Sequence, residues 1–318
     1  MPRSGRRGGI VAAAANCRWL LCLTLLATFG AKAQDAFRLE QPAPGVFVHF
    51  GKQLALDAPG HEDIANIGFI VGTKCAAVID TGGSVRTGRA LLAALRQHTQ
   101  LPVCYVINTH VHVDHILGNA AFRQEHPSFV AHAALPAALA RSRELFLTQY
   151  AADLDAPATA NQLIGPDRLV TDTLKLDLGG RKLLLLAWPK AHTDCDLTVY
   201  DERSGTLWTG DLLFRERLPA VDGSIKGWLA ALTQLATLKP HFVVPGHGPL
   251  AKDIAAALQP ERRYLQALED GVRAALKQGQ SMPEAMDTVA VSEKPHWLLW
   301  EQGHKHNVAR VYQELEWE

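Results

Sequence analysis

Four side chains able to hold a metal crowd into six residues, His110-Val111-His112-Val113-Asp114-His115, directly after the apolar run 103–107. A straight strand sends alternate side chains to opposite faces and cannot aim all four at one point, whereas a loop at the strand's exit can. The pattern predicts a buried strand ending at a polar edge. Three more candidate ligands stand in similar places. His192 lies in Ala191-His192-Thr193-Asp194 after the apolar run ending at Trp188. Asp211 follows Leu207-Trp208 in Thr209-Gly210-Asp211, and His247 follows residues 242–244 in Pro245-Gly246-His247-Gly248-Pro249. Each alone reads as an ordinary loop residue. Their shared position at strand exits, beside glycines that permit close backbone approach, makes them one set. Neutral imidazole and carboxylate suit zinc, and also iron or manganese.

The rest of the chain supplies strands and helices to carry such a set. Strand-like runs at 46–50, 67–71, 76–79, 103–107 and 129–131 accompany a helical pattern over 85–98, carried by Leu91, Leu92 and Leu95. Residues 133–154 read mostly as helix, with Pro136 near the start, and 161–171 as loop. Runs 174–178 and 183–188 flank Gly179-Gly180, a hairpin signal, and 197–200 and 206–209 flank a second turn. Residues 227–238 and 254–278 read as helices, with a helix-rich region from about 251 onward. No repeat or flexible linker divides the chain, so residues 34–318 are expected to form one mixed α/β domain.

Charge and the N-terminus narrow the class further. The first 33 residues carry five basic side chains and no acidic one, which leaves 27 basic against 32 acidic in the remainder. A strongly basic nucleic-acid binder is thereby excluded as the default. Arg3, Arg6 and Arg7, the apolar stretch 19–29, and Ala31-Lys32-Ala33 read as a signal peptide over 1–33. Export to the periplasm or outside the cell is expected, by the general or the twin-arginine route, with no membrane span after cleavage. Only Cys75, Cys104 and Cys195 then remain. An odd number rules against a disulfide framework and allows one bridge at most. Cys75 and Cys104 sit in apolar runs and are expected as buried free thiols, and Cys195 as a core or loop thiol.

The ligand set resembles that of the metallo-β-lactamase superfamily, whose hallmark is H-x-H-x-D-H followed by a separate His, an Asp and a final His. The resemblance covers roughly residues 42–250. It implies an αβ/βα sandwich: two mixed sheets flanked by helices, with the metals at one edge. It also implies two divalent metal ions, Zn2+ by preference. His110, His112 and His192 would hold the first, Asp114, His115 and His247 the second, and Asp211 would bridge them. Asp80, before Thr81-Gly82, matches the family's carboxylate that braces the ligand loop. The zinc β-lactamases proper place Cys or Ser where Asp211 stands, so this chain is more similar to the glyoxalase II type. Segments 63–68, 221–228 and 314–318 are similar to a SoxH-like exported subgroup called quinoprotein relay system zinc metallohydrolase, associated with PQQ-dependent dehydrogenase systems.

By that resemblance the chain is expected to be an exported dinuclear zinc hydrolase acting on a small molecule. A metal-bound hydroxide would attack an ester, thioester or lactam carbonyl, with Asp114 orienting the nucleophile and passing a proton to the leaving group. Lys226 and Arg215 are candidate contacts for a substrate anion, against the alternative of ordinary surface charge. His61 is a candidate flap residue over the metals. Residues 133–170 are a candidate lid, with Phe146 and Tyr150 lining a pocket. Trp188, Trp228, Trp297 and Trp300 are expected to pack, and His304 and His306 show no metal pattern. Two alternatives stand beside the hydrolase: a non-hydrolytic metal- or cofactor-binding accessory protein of a periplasmic redox system, and an iron-dependent sulfur oxygenase.

Overall fold

Val46 and Val48 turn to one side of their strand and Phe47 to the other, and this period-two alternation organises both faces of a large sheet. A computed structural model describes Gly9 and residues 37–155 and 162–318; the expected signal segment 1–33 is, but for Gly9, outside the described residues. Phe37–Glu318 pack as one unit.

The first sheet has seven strands in chain order: β1 (Glu40–Ala43), β2 (Val46–His49), β3 (Ile67–Val71), β4 (Ala76–Ile79), β5 (Val103–Ile107), β6 (Ser128–His132) and β7 (Arg168–Val170). It is antiparallel from β1 to β4 and parallel from β4 to β7. Parallel neighbours need long crossovers. Helix α1 (Val85–His98) supplies the first; Ser84 caps it by accepting from the Thr87 amide, and Leu91 and Leu95 bury against Phe69 and Val78. The next crossover holds the single turn α2 (Val113–Ile116) and a 3-10 stretch, Leu117–Glu125. Helix α3 (Leu135–Gln149) precedes β7. The loop expected over 161–171 thus ends in a strand. With three residues, two of them exposed, β7 is too short to show any alternation.

The second sheet runs β12-β11-β10-β9-β8, from β8 (Thr173–Asp177), β9 (Lys182–Ala187), β10 (Leu197–Asp201), β11 (Thr206–Phe214) and β12 (Phe242–His247). Leu183, Leu185, Val199 and Trp208 face Val48, Ile70 and Ile79 across the gap between sheets. Helices α4 (Ile225–Leu235), α5 (Ile254–Lys277), α6 (Met282–Thr288) and α7 (Trp300–Leu315) cover the outer side, with Trp188, Trp228, Trp297 and Trp300 all buried there.

Strands β11 and β12 run past their expected ends and carry ligands with them. They pair in parallel, but the register shifts between Trp208 and Gly210 and again between Gly210 and Phe214. Such irregularities re-aim side chains, here Asp211 and His247. Gly210 sits at φ 51, and a Cβ there would stand 2.6 Å from the Thr109 side chain, so glycine is required.

The cysteine expectation is corrected. Ala76 of β4 pairs with Val103 of β5, and this register brings the Cα atoms of Cys75 and Cys104 to 5.7 Å, where they form a disulfide. Cys195 remains free and buried, and burial pushes its thiol up to about 12.

Candidate metal centre

Five segments converge at one edge of the sandwich: the 109–115 loop after β5, the 191–196 loop after β9, the far ends of β11 and β12, and the first residues after β4. The carboxylate of Asp211 lies at their meeting point. Its oxygens stand 3.1 Å from His115 Nε2, 3.4 Å from both His192 Nε2 and His247 Nε2, and 3.7 Å from His110 Nε2. Two ligand groups result, His110, His112, His192 and Asp211 on one side and Asp114, His115 and His247 on the other. Gly246 makes room: a Cβ there would fall 1.8 Å from Asp211 Oδ1.

Each of the five histidines has one ring nitrogen tied to the protein and the other turned inward. Nδ1 contacts Thr109 Oγ1 at 3.0 Å in His110, Asp80 Oδ2 at 2.8 Å in His115, Ala220 O at 2.8 Å in His192 and Ile64 O at 2.9 Å in His247. His112 is reversed, with Nε2 2.9 Å from Asp222 Oδ2 and Nδ1 3.1 Å from His192 Nε2. Two imidazole nitrogens aimed at each other share a position that a cation can fill. Among the described residues, buried His110 Nε2, His115 Nε2 and Asp211 Oδ1 have no hydrogen-bond partner, and such orphaned atoms fit a metal pair. Asp80 sits at φ 53 and accepts from Thr109 N, Thr109 Oγ1 and His115 Nδ1, bracing the 109–115 loop.

The electrostatics call for positive charge. Burial, with His115 beside it, holds His110 well below its ordinary value, and burial takes His192 down to about 4, so both are neutral donors. Burial also disfavours a charged His115, but Asp211, Asp114 and Asp80 outweigh it and hold that ring well above its ordinary value. A metal at His115 must therefore compete with the second ring proton that these carboxylates favour. Zinc uptake near pH 7 is expected to release protons and to tighten as pH rises. A zinc titration in weakly buffered indicator measures both, and an affinity unchanged between about pH 6 and pH 8 would contradict the assignment.

Residues 61–247, more than half of the chain, match the metallo-beta-lactamase superfamily. The chain belongs to that superfamily. A curated relative, the linear primary-alkylsulfatase of Pseudomonas sp. (strain ATCC 19151), is 23% identical over 280 residues, covering 74% of this chain and 53% of the relative. The chain thus spans about half the length of that relative. Among solved structures, a stereoselective inverting sec-alkylsulfatase from Pseudomonas sp. superposes with a TM-score of 0.67 at 18% identity, over 87% of this chain and 50% of the other. A metallo-beta-lactamase family protein from Thermus thermophilus gives 0.63 at 21% identity, over 86% and 93%. These likenesses show the metallo-β-lactamase fold.

The ligand edge opens into a cavity of about 590 Å³. His112, Asp114, Asp211 and His247 form its floor, and Leu145 and Phe146 of α3, with Tyr150 just after it, form one wall. Leu218, Pro219 and Leu299 form another, and Ala55 and Leu56 the rim. Three candidate contacts lie elsewhere. Lys226 is exposed and pairs with Glu318, because it points outward from the first turn of α4. Arg215 spends its guanidinium on the carbonyls of Pro249 and Leu250. His61 does not reach over the ligands; its Nε2 lies 3.0 Å from Asp153 Oδ2, tying the 51–63 loop to the segment after α3. Among the described residues, Arg217, two positions beyond Arg215, is the Lys or Arg side chain that lines the cavity. His306 also lines it, whereas His304 is buried against Tyr264 and Trp300.

Proposed function

We propose that this chain is a dinuclear zinc hydrolase that cleaves an ester-type small molecule carrying an anionic group beside an apolar body. The observation that carries the reading is Asp211, within 3.7 Å of four inward-facing imidazole nitrogens drawn from both ligand groups. A metal pair bound there supplies an acidified water and an electrophile for a substrate oxygen. The chain's own groups do the rest. Burial would raise the Asp114 carboxyl, but His115 and His247 hold it far below the usual range, so it stays ionised and its charge is able to orient a water.

Arg217 supports the anionic part. Among the described residues its guanidinium makes one hydrogen bond, from Nη1 to Leu54 O at 2.9 Å, leaving other donors for a ligand. The apolar walls suit a hydrocarbon chain and keep water away. An alkyl sulfate, the substrate class named by the alkylsulfatase relatives, has both parts, as does a carboxylated ester, thioester or lactam.

The test is a panel of alkyl sulfates, carboxyl esters, thioesters, lactones and β-lactams offered to the zinc-loaded chain. Turnover of anionic members is expected. None at full zinc loading would favour the accessory-protein reading, and iron with oxygen uptake would favour the oxygenase. On an accepted substrate, Arg217→Ala should raise KM about tenfold to a hundredfold with a smaller change in kcat, the worth of a charge-assisted hydrogen bond. An unchanged KM would remove Arg217 from recognition. Export belongs to the same proposal, supported by the composition of residues 1–33 and by a disulfide of the kind that oxidising compartments preserve. A link to a PQQ-dependent dehydrogenase system rests on the sequence resemblance alone.

A further inference from the structure

We infer that Asp222 is a positioning residue for the first metal position and that the C-terminal helix α7 holds it in place through His306. The inference rests on the metal-centre reading above.

His112 is the one ligand histidine that turns Nδ1 rather than Nε2 inward, and the difference has a cause. Its Nε2 lies 2.9 Å from Asp222 Oδ2. A hydrogen bond donated there leaves the Nδ1 lone pair free and fixes the ring's angle. The other Asp222 oxygen, Oδ1, lies 3.2 Å from Nε2 of His306 on α7. His112, Asp222 and His306 therefore form a chain from the ligand cluster to the last helix.

The backbone around Asp222 belongs to the same device. Ala220 O receives His192 Nδ1, so a span of three residues, 220–222, orients two of the three histidines in the first ligand group. Helix α7 fastens this span on both sides. Asn307 accepts from Val221 N at 2.9 Å and donates to Pro219 O at 2.7 Å, and Arg310 donates to Asp222 O at 2.7 Å. Glu314 takes Ser224 Oγ at 2.6 Å and Ile225 N at 2.8 Å. Helix α7 lies outside residues 61–247, the part matched to the superfamily, so the strap is fastened by an element beyond that common part.

The experiment measures Zn2+ binding to the full chain by chelator competition, together with the visible spectrum of the Co2+-loaded form. The wild type is expected to bind two equivalents. Asp222→Ala should weaken one of the two sites about tenfold to a hundredfold and alter the cobalt bands, while the other site keeps its affinity. Asp222→Asn should recover most of the loss, because its amide oxygen accepts the same hydrogen bond. His306→Ala, on an exposed face of α7, should give a smaller loss at the same site, and it decides the matter should Asp222→Ala fail to fold. Two sites of wild-type affinity and an unchanged cobalt spectrum in these variants overturn the inference alone. A wild type that binds no metal overturns the metal-centre reading with it.

Discussion

Asp211→Ala is expected to lose metal from both positions and to fall about a thousandfold in kcat/KM, roughly 4 kcal/mol of transition-state stabilisation. Among the described residues, every other candidate ligand belongs to one group, and Asp211 alone reaches into both. Two divalent cations about 3.5–4 Å apart repel each other strongly, and a bridging carboxylate is what offsets that repulsion. Without it six ligands remain, and the expected content is one metal per chain or fewer. Asp211→Asn isolates the charge, since the amide fits the same space beside Gly246 yet cannot neutralise a cation. Both variants should fold, because Asp211 has an orphaned oxygen and no role in the core between the sheets. Metal analysis after exhaustive dialysis, read beside turnover of an accepted substrate, checks the prediction. Two tightly held metals with near-normal turnover in Asp211→Ala would remove the bridge from the proposal.

The sandwich is readable in the sequence because its strands are short apolar runs that end in turn residues, and α1 because Leu91 and Leu95 recur at helical spacing beside a Ser84 cap. The ligand run 110–115 is readable for another reason: so many donors in six residues have few uses other than a metal. What escaped depends on register. Arg215 and Arg217 are two positions apart at the end of β11, and nothing in their spelling says which one enters the cavity. Cys75 and Cys104 lie 29 residues apart, and only the parallel pairing of β4 with β5 makes them neighbours. Asp222, before a glycine, has the spelling of a turn. His306 lies 84 residues further on and gains a role only through the packing of α7 against the 219–225 span.

Arg181→Ala should be the most destabilising single change away from the metals. Arg181 and Asp201 are 2% and 0% exposed and form a two-pronged pair, Nε to Oδ1 at 3.0 Å and Nη2 to Oδ2 at 2.6 Å. Nη1 of the same guanidinium donates to Pro44 O and Val71 O, so a residue at the β8–β9 turn also satisfies two carbonyls of the first sheet. Truncation leaves a buried carboxylate without its counter-ion and two carbonyls without a donor. Breaking one side of a buried pair costs about 3–5 kcal/mol. For a chain of this length that is a fall of about 5–10 °C in Tm. The loss depends on pH in a defined direction. Burial would raise the Asp201 carboxyl, but the Arg181 and Ser204 hydrogen bonds hold it below the ordinary range. A depressed carboxyl contributes its stability above the ordinary carboxylate pKa and loses it as pH falls through the folded value. The gap between wild type and variant should therefore be full near pH 7 and shrink in acid. Metal content and kcat/KM at 25 °C should not change, since neither residue touches the ligand cluster. Thermal melts at pH 7 and pH 4 test all of this, and a Tm within about 2 °C of wild type at pH 7 would show that the pair does not fasten the two sheets.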